Sequence, residues 1–137
     1  MKNADNQTDK YGRNELHYAV INNNIAKVKE LLENGIDVKK ADKNGFSPLH
    51  YATQNYSIEI VKVLIEFGAD INVKNKYGNT PIAVAVFNCK NNSGELLIFL
   101  KSKGADPTIK NNYGQSALDI AREIANYNIK QYFSEYE

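Results

Sequence analysis

The chain has 137 residues, of which 42% are hydrophobic and 24% are charged, values typical of one folded domain rather than of a disordered chain. Its formal net charge of +1 provides no overall attraction for nucleic acid or anionic membranes. No apolar run approaches the roughly 18 residues that span a bilayer, and the start MKNADNQTDK lacks the apolar core of a signal peptide, so we expect a cytoplasmic protein.

Four similar blocks follow a short N-terminal segment, residues 1–8, which we expect to be flexible. The blocks are DKYGRNELHYA at 9–19, DKNGFSPLHYA at 42–52, NKYGNTPIAVA at 75–85 and NNYGQSALDIA at 111–121. Their glycines lie 33, 33 and 36 residues apart. In each block Asp or Asn stands three residues before the glycine, which is typical of a tight turn. The fixed period predicts a stack of similar units.

Each turn is followed by signals for two helices. Ser47 and Thr80 are natural N-caps, and the prolines that follow them fit the first helical position. In the second helix of the second unit, SIEIVKVLIEFG, the apolar residues at helical spacing are Ile60, Val61, Leu64 and Ile65, and Gly68 is expected to end the helix. We expect Leu49 and Leu64 to lie in the core.

These motifs closely resemble the ankyrin repeat family, over roughly residues 9–133. The resemblance implies an all-α solenoid of helix-turn-helix units with projecting β-hairpin turns. The expected domain is 9–137, with repeats at about 9–41, 42–74, 75–110 and 111–137. The last repeat is expected to be a C-terminal cap in which Ile129 and Phe133 continue the second-helix pattern.

The third repeat carries three extra residues, which we place in or near NCKNNSG, between its two helices. This stretch contains Cys89, the one cysteine of the chain, which we expect at the end of the first helix. A single cysteine excludes an internal disulfide. A nucleophilic role would require a base, and the two histidines lie in other repeats, so we interpret the thiol as inert.

The two histidines and the recurring aspartates of the chain fit structural roles better than a catalytic or metal site. His17 and His50 occupy the position at which the family uses the imidazole to bond neighbouring turns, and a pair of ligands is too few for a tetrahedral metal site. Asp37, Asp70 and Asp106 recur with the repeat, which favours loop stabilisation. No phosphate-binding loop or zinc spacing is present in the sequence. We therefore expect no enzyme activity, no cofactor and no metal.

By analogy with the family, the hairpin tips and the concave side of the first helices form the binding face. The predicted contact residues are Tyr11, Arg13, Lys43, Phe46, Lys76, Tyr77, Asn79, Tyr113 and Gln115. Four of them are aromatic and are expected to form one exposed row, with cations beside it that favour an acidic partner.

The resulting hypothesis is a monomeric protein-binding module without catalysis. Residues 75–133 also resemble small bacterial ankyrin proteins that act as immunity proteins, and this resemblance implies a toxin domain as the partner. The alternatives are a regulatory scaffold and a nucleic-acid-binding protein. The latter would use the tip lysines Lys10, Lys43, Lys74, Lys76 and Lys110.

Overall fold

The computed structural model describes residues 7–90, 93–124 and 127–136 of the chain. The helices of this part are α1 (Glu15–Ile21), α2 (Ile25–Glu33), α3 (Pro48–Gln54), α4 (Ile58–Glu66), α5 (Pro81–Phe87), α6 (Glu95–Ser102), α7 (Ala117–Glu123) and α8 (Tyr127–Lys130), followed by a 3₁₀ helix, Gln131–Tyr136. The predicted all-α class is confirmed. Most of the N-terminal segment predicted to be flexible, residues 1–6, lies outside the described residues.

The first helices begin where the caps predict. The Ser47 side chain accepts a hydrogen bond from the His50 N–H, and Pro48 occupies the first helical position of α3. Thr80 caps α5 in the same way through the Ala83 N–H, and Pro81 follows it. A missing N–H costs nothing at the first position of a helix, so these local signals fix where each first helix starts.

The second helices end at glycine. In α4 the residues Ile60, Val61 and Leu64 are buried, and the chain leaves the helix at Gly68 with φ +96°. The Ala69 N–H donates to the Leu64 carbonyl at 3.0 Å, which satisfies one of the carbonyls left open at a helix end. The predicted helix and its terminator are confirmed.

Consecutive turns stack directly on one another instead of extending into hairpins. One backbone hydrogen bond joins each pair of turns: Lys43 donates to the Tyr11 carbonyl at 2.9 Å, and Lys76 donates to the Asn44 carbonyl at 3.0 Å. A Cβ on Gly45 would lie 2.7 Å from the Lys76 nitrogen, so the approach requires glycine. The described residues contain no β-strand, and the expected β-hairpins are not confirmed.

One core runs through the stack. Helix α3 packs against α1, α4 and α5, and α5 packs in turn against α6 and α7. Leu49 and Leu64, both predicted to be core residues, are fully buried. The core continues to Ile129 and Phe133, which are buried as expected of a cap. The second-helix pattern does not continue through Phe133, however, because α8 ends at Lys130 and Phe133 lies in the 3₁₀ helix with a non-helical φ of −123°.

The insertion in the third repeat lies between its helices. Residues 88–94 connect α5 to α6, whereas residues 55–57 connect α3 to α4. Asn91 and Asn92 lie outside the described residues. Gly94 ends the connection against the C-terminal segment, because a Cβ there would lie 2.0 Å from the Tyr132 ring. The described end of this connection is thus packed against the C-terminal segment.

Candidate functional site

The predicted contact residues sit on four turns with one common geometry. The first residue of each turn, Asp or Asn, accepts hydrogen bonds on Oδ1 from the backbone N–H groups two and four residues later. At Asp42 the donors are Asn44 at 2.9 Å and Phe46 at 3.0 Å, and at Asn75 they are Tyr77 at 2.9 Å and Asn79 at 3.0 Å. This bonding satisfies the turn amides and holds the third and fifth residues in equivalent places in every repeat.

The third turn position carries tyrosine in three repeats. Tyr11, Tyr77 and Tyr113 are 50%, 41% and 76% exposed, so the exposure predicted for these rings is confirmed, and their part in binding stays a prediction. The lysines at the tips, Lys43 and Lys76, are exposed as well. The Lys76 ammonium lies 5.1 Å from the centroid of the Tyr77 ring, a distance typical of a cation–π contact.

Phe46 does not belong to this row. It follows the glycine, and this position faces the first helices rather than the tip. Its ring packs 5.2 Å from the Tyr51 ring and 5.6 Å from the His50 ring, and the side chain is half-buried. The expectation of four exposed rings in one row is therefore wrong at Phe46.

Arg13 occupies the same position in the first repeat, and its charge is used within the chain. Its guanidinium donates to the Asp42 carboxylate at 3.3 Å and to the Tyr51 hydroxyl at 3.0 Å. The Tyr51 hydroxyl donates in turn to the same carboxylate. Asp42 is buried, with 1% of its side chain exposed. Arg13 thus neutralises an internal carboxylate, which removes the reason to expect it to attract an acidic partner.

The network of Arg13, Asp42 and Tyr51 shifts the pKa values of Asp42 and Tyr51. Burial by itself raises the pKa of Asp42, but the hydrogen bonds from Tyr51, from two backbone N–H groups and from Arg13 outweigh it, and the net pKa lies below the ordinary value. Burial and the neighbouring Asp42 raise the pKa of Tyr51 to about 12. Asp42 is therefore ionised and Tyr51 is neutral at physiological pH, the states in which these bonds form.

The two histidines join neighbouring repeats. His17 Nε2 lies 3.2 Å from the Phe46 carbonyl oxygen, and His50 Nε2 lies 2.9 Å from the Asn79 carbonyl oxygen. Burial lowers the pKa of both imidazoles, partly offset by these hydrogen bonds. The predicted structural role is confirmed. Among the residues that the structure describes, no three His, Cys, Asp or Glu side chains come together as a metal site would require.

The recurring aspartates after the second helices are also structural. Each accepts a hydrogen bond on Oδ1 from the backbone N–H two residues later, at 2.9 Å for Asp37, 3.1 Å for Asp70 and 2.9 Å for Asp106. This is the bonding of an Asx turn, so the predicted loop stabilisation is confirmed.

Cys89 is buried rather than displayed in a polar loop. It lies two residues beyond Phe87, the last residue of α5, rather than at the end of the helix as expected. It is 1% exposed, and its Sγ lies 3.3 Å from the Tyr56 hydroxyl oxygen. That hydroxyl also donates to the Ser93 carbonyl at 2.6 Å. The thiol therefore forms part of the packing between the second repeat and the insertion, and the inert role stays a prediction.

A surface depression with a volume of about 580 Å³ lies over α5 and α7. We call it the groove and define it by its aromatic and aliphatic walls, which are Phe46, Tyr77, Val84, Phe87, Ile120 and Ile124. Phe87 is 67% exposed and Ile124 is 40% exposed. Asn79 and Gln115, two of the predicted contact residues, also line it.

Sequence analysis does not single out Val84, Phe87, Ile120 and Ile124, because apolar residues within a helix do not differ in type from core residues. A comparison of equivalent repeat positions would have revealed two of them. Val84 and Ile120 stand where the earlier repeats have Tyr18 and Tyr51. Val84 is half-buried and Ile120 is buried, and each lies one helical turn before an exposed apolar residue, Phe87 or Ile124. The replaced tyrosines therefore mark the inner edge of an apolar surface.

Comparisons with known proteins identify the repeat. Residues 16–111 match the family model for ankyrin repeats, which consists of three copies. A comparison with curated proteins gave no significant match. The match ends at residue 111, where the fourth predicted repeat, residues 111–137, begins. That repeat stays a prediction. Within the described residues, no helix is both long enough and apolar enough to cross a membrane.

Proposed function

Because the chain belongs to the ankyrin-repeat family, we propose that it is a non-catalytic protein-binding module that uses the groove and the adjoining turn tips. Ankyrin repeats are generally protein–protein interaction modules. The observation that carries the proposal is the exposure of Phe87 and Ile124 in a depression whose walls are aromatic and aliphatic. Apolar patches of this kind on a protein surface mark binding sites.

The predicted contact residues fit this proposal unequally. Tyr77, Asn79 and Gln115 line the groove, and the tips that carry Lys76 and Tyr113 adjoin it. Phe46 contributes its ring to the wall while it packs on Tyr51. Tyr11, Arg13 and Lys43 lie on the first two turns, farther along the stack. We therefore propose the third and fourth turns as the main contacts.

A narrower hypothesis concerns the partner. The resemblance of residues 75–133 to bacterial immunity proteins supports a toxin domain, which this chain would bind as a monomer in the cytoplasm. Co-expression of the chain with the product of an adjacent reading frame tests this hypothesis. Rescue of growth by the wild-type chain, and not by Phe87→Ala, would support it, and equal toxicity with and without the chain would contradict it.

The proposed binding face is tested with two matched variants. Phe87→Ala changes an exposed ring in the groove, and Phe67→Ala changes a ring of 42% exposure at the end of α4, outside the groove. The partner would be captured on the immobilised chain, identified by mass spectrometry and titrated by calorimetry. We expect Phe87→Ala to weaken binding by about 2 kcal/mol or more and Phe67→Ala to leave it unchanged. Equal affinities would exclude the groove.

Nucleic-acid binding is the alternative, and the exposed tip lysines Lys43 and Lys76 favour it. Lys110 does not, because its ammonium lies 3.2 Å from the Asp119 carboxylate. Few phosphate contacts predict weak binding with a modest salt dependence, because the salt dependence grows with the number of phosphates that are neutralised. Retention on single-stranded or double-stranded DNA that disappears between about 50 and 200 mM salt would support the alternative over the groove.

A further inference from the structure

The groove forms where the repeat pattern loses its histidine. In the first two repeats an imidazole under the turn bonds the carbonyl of the next turn, as His50 bonds Asn79. In the third repeat the equivalent residue is Ala83, which has no polar group on its side chain and lines the groove. The depression thus lies where the repeat has an alanine in place of the histidine, next to the apolar residues of α5 and α7.

The walls of the groove come from two neighbouring helices. Val84 and Phe87 lie on α5, and Ile120 lies on α7. Ile124 is the first residue after the end of α7. The outer pair, Phe87 and Ile124, is the more exposed. A volume of about 580 Å³ lies in the range of sites that enclose a compact ligand group. Such a space accepts a large apolar side chain.

The charge of the groove is negative, unlike that of the turn tips. Glu123 is the one charged residue among those that line it. Its carboxylate accepts a hydrogen bond from the Gln115 amide nitrogen at 2.7 Å, a neutral donor. The cations next to it on the surface are directed elsewhere, since Lys110 and Arg122 lie 3.2 Å and 3.9 Å from Asp119. Within residues 7–90, 93–124 and 127–136, no lysine or arginine pairs with Glu123.

We infer, on the premise of the proposed function, that the partner is a protein segment that inserts one large apolar side chain between Phe87 and Ile124 and places a lysine or arginine against Glu123. The apolar side chain buries the exposed walls, as interface anchors do. The cation neutralises a carboxylate that loses water when the groove is covered, and a charge-assisted hydrogen bond is the strong form of that contact. The segment is amphipathic and basic, contrary to the acidic partner expected from the tip lysines.

A library of random 16-residue peptides displayed on phage tests this inference on the full chain. Selection on the wild-type chain, with Phe87→Ala as the counter-selection target, should enrich peptides with a large apolar residue within about four positions of a lysine or arginine, one helical turn. The enriched peptides would be synthesised and their affinities measured by fluorescence anisotropy. Glu123→Gln should weaken them by about tenfold and reduce their salt dependence.

Two controls separate the groove from unspecific effects. Phe67→Ala and Glu66→Gln change the same residue types on the α4 side and should leave every peptide affinity unchanged. Melting temperatures of all four variants should agree with the wild type, because each changed side chain is exposed.

Three results would overturn the inference, and each would lead to a different conclusion about the partner. Enriched peptides that are acidic, or that bind Glu123→Gln as well as wild type, would show the wrong partner chemistry while the protein-binding function stands. A concentration-dependent dimer of the wild type that Phe87→Ala abolishes would make a second copy of the chain the occupant. No enrichment would show that the groove accepts no linear segment, and the calorimetric titration of the captured partner would then decide the proposed function by itself.

Discussion

The second and third repeats use the same backbone geometry for different purposes. In the second repeat the turn begins with Asp42, whose second carboxylate oxygen is bonded by Tyr51 from the following helix and by Arg13 from the preceding turn. In the third repeat the equivalent residues are Asn75, Val84 and Phe46. The Val84 side chain cannot donate a hydrogen bond to Asn75, whose Oδ1 accepts from two N–H groups of its own turn. The same helix exposes the apolar ring of Phe87.

The first repeat resembles the second, and the fourth resembles the third. Tyr18 donates to Asp9 in the first repeat, as Tyr51 does to Asp42, whereas the fourth repeat combines Asn111 with Ile120. We call residues 9–54 the N-terminal half and residues 75–87 with 111–124 the C-terminal half. Side chains also join repeats in the C-terminal half, where the Asn111 amide donates to the Asn79 side-chain oxygen at 2.8 Å. The difference lies in the helices, because tyrosines of the N-terminal half bond the turn carboxylates, whereas α5 and the end of α7 carry the exposed apolar residues Phe87 and Ile124. We therefore propose that stability and binding depend mainly on different ends of one stack.

The core beneath the two halves should not share this difference, and its variants have the largest expected effect. Leu49 and Ile82 occupy equivalent positions in α3 and α5, and both are fully buried. Leu49→Ala and Ile82→Ala should each lower the free energy of unfolding by about 2–5 kcal/mol, as should Leu64→Ala. Urea denaturation followed by circular dichroism measures this. A small loss at one of the equivalent pair would mean that the halves also differ in their packing.

The charged network should matter for stability and not for binding. Asp42→Asn keeps the oxygen that bonds the turn amides but loses the charge that faces Arg13 and the acceptor for Tyr51. We expect the free energy of unfolding to fall by about 2 kcal/mol, the size of a hydrogen bond to a charged group. Asp70→Asn, on an exposed loop, should change it by less than about 0.5 kcal/mol. If Asp42→Asn weakened partner binding without a change in stability, the assignment of the two halves would be reversed.

The tyrosines at the third turn position allow the same residue to be compared in both halves. Tyr77 lines the groove, whereas Tyr11 lies beside Lys10 and Arg13, at 5.2 Å and 5.3 Å from its ring centroid. Tyr77→Ala should weaken partner binding by about 2 kcal/mol and Tyr11→Ala by less than about 0.5 kcal/mol. Glu59→Ala, on α4, should change neither binding nor folding. The affinities come from calorimetric titration, and equal losses at the two tyrosines would extend the interface over both halves.

Acid should lower the stability of the chain through its N-terminal half, because the buried histidines His17 and His50 lie there. Burial lowers the pKa of His17 and His50 below the ordinary value of 6.5, although the Asp42 carboxylate near both and Asp70 near His50 oppose the shift. The unfolded chain then binds more protons than the folded chain, so stability is complete above about pH 6.5 and falls as the pH drops from there towards the folded-state pKa. The urea midpoint should be lower at about pH 5.5 than at about pH 7.5.

The double variant His17→Gln/His50→Gln provides the control. Its absolute stability is lower, but the difference between its two midpoints should be smaller than that of the wild type, because no imidazole remains to be protonated. An equal difference in both proteins would show that other groups cause the acid sensitivity.

The fold could be predicted from the sequence because its signals are local. An Asx residue and a glycine three positions later define each turn, and Ser47 or Thr80 with the proline after it defines a helix start. The expected β-hairpins are not confirmed, because neighbouring turns of the described residues meet through single backbone hydrogen bonds rather than through a ladder of them. The end of the chain could not be predicted, since the packing of Tyr132 on Gly94 joins segments 38 residues apart.

The candidate site was less predictable because it depends on contacts between repeats. The sequence places Arg13 and Phe46 at one position after the glycine, but their environments are decided by Asp42 and Tyr51, which belong to another turn and another helix. Helix α5 has the composition of a core helix, and only its place in the stack shows that Phe87 is exposed and that Val84 is half-buried. Surface and core positions in a repeat must therefore be assigned by comparing equivalent positions.

Cys89→Ser should have the smallest effect on stability and on binding. It tests whether the difference between the two halves is confined to their surface residues. Cys89 lies behind α5, and its Sγ faces the Tyr56 hydroxyl at 3.3 Å. Serine is of similar size and can keep that hydrogen bond, so the free energy of unfolding should change by less than about 1 kcal/mol. Partner affinity should not change, because the thiol is buried and the groove is formed by other residues. A marked loss of affinity with an unaltered thermal melt would show that the thiol or the insertion around it contacts the partner, and the interface would then extend beyond the groove.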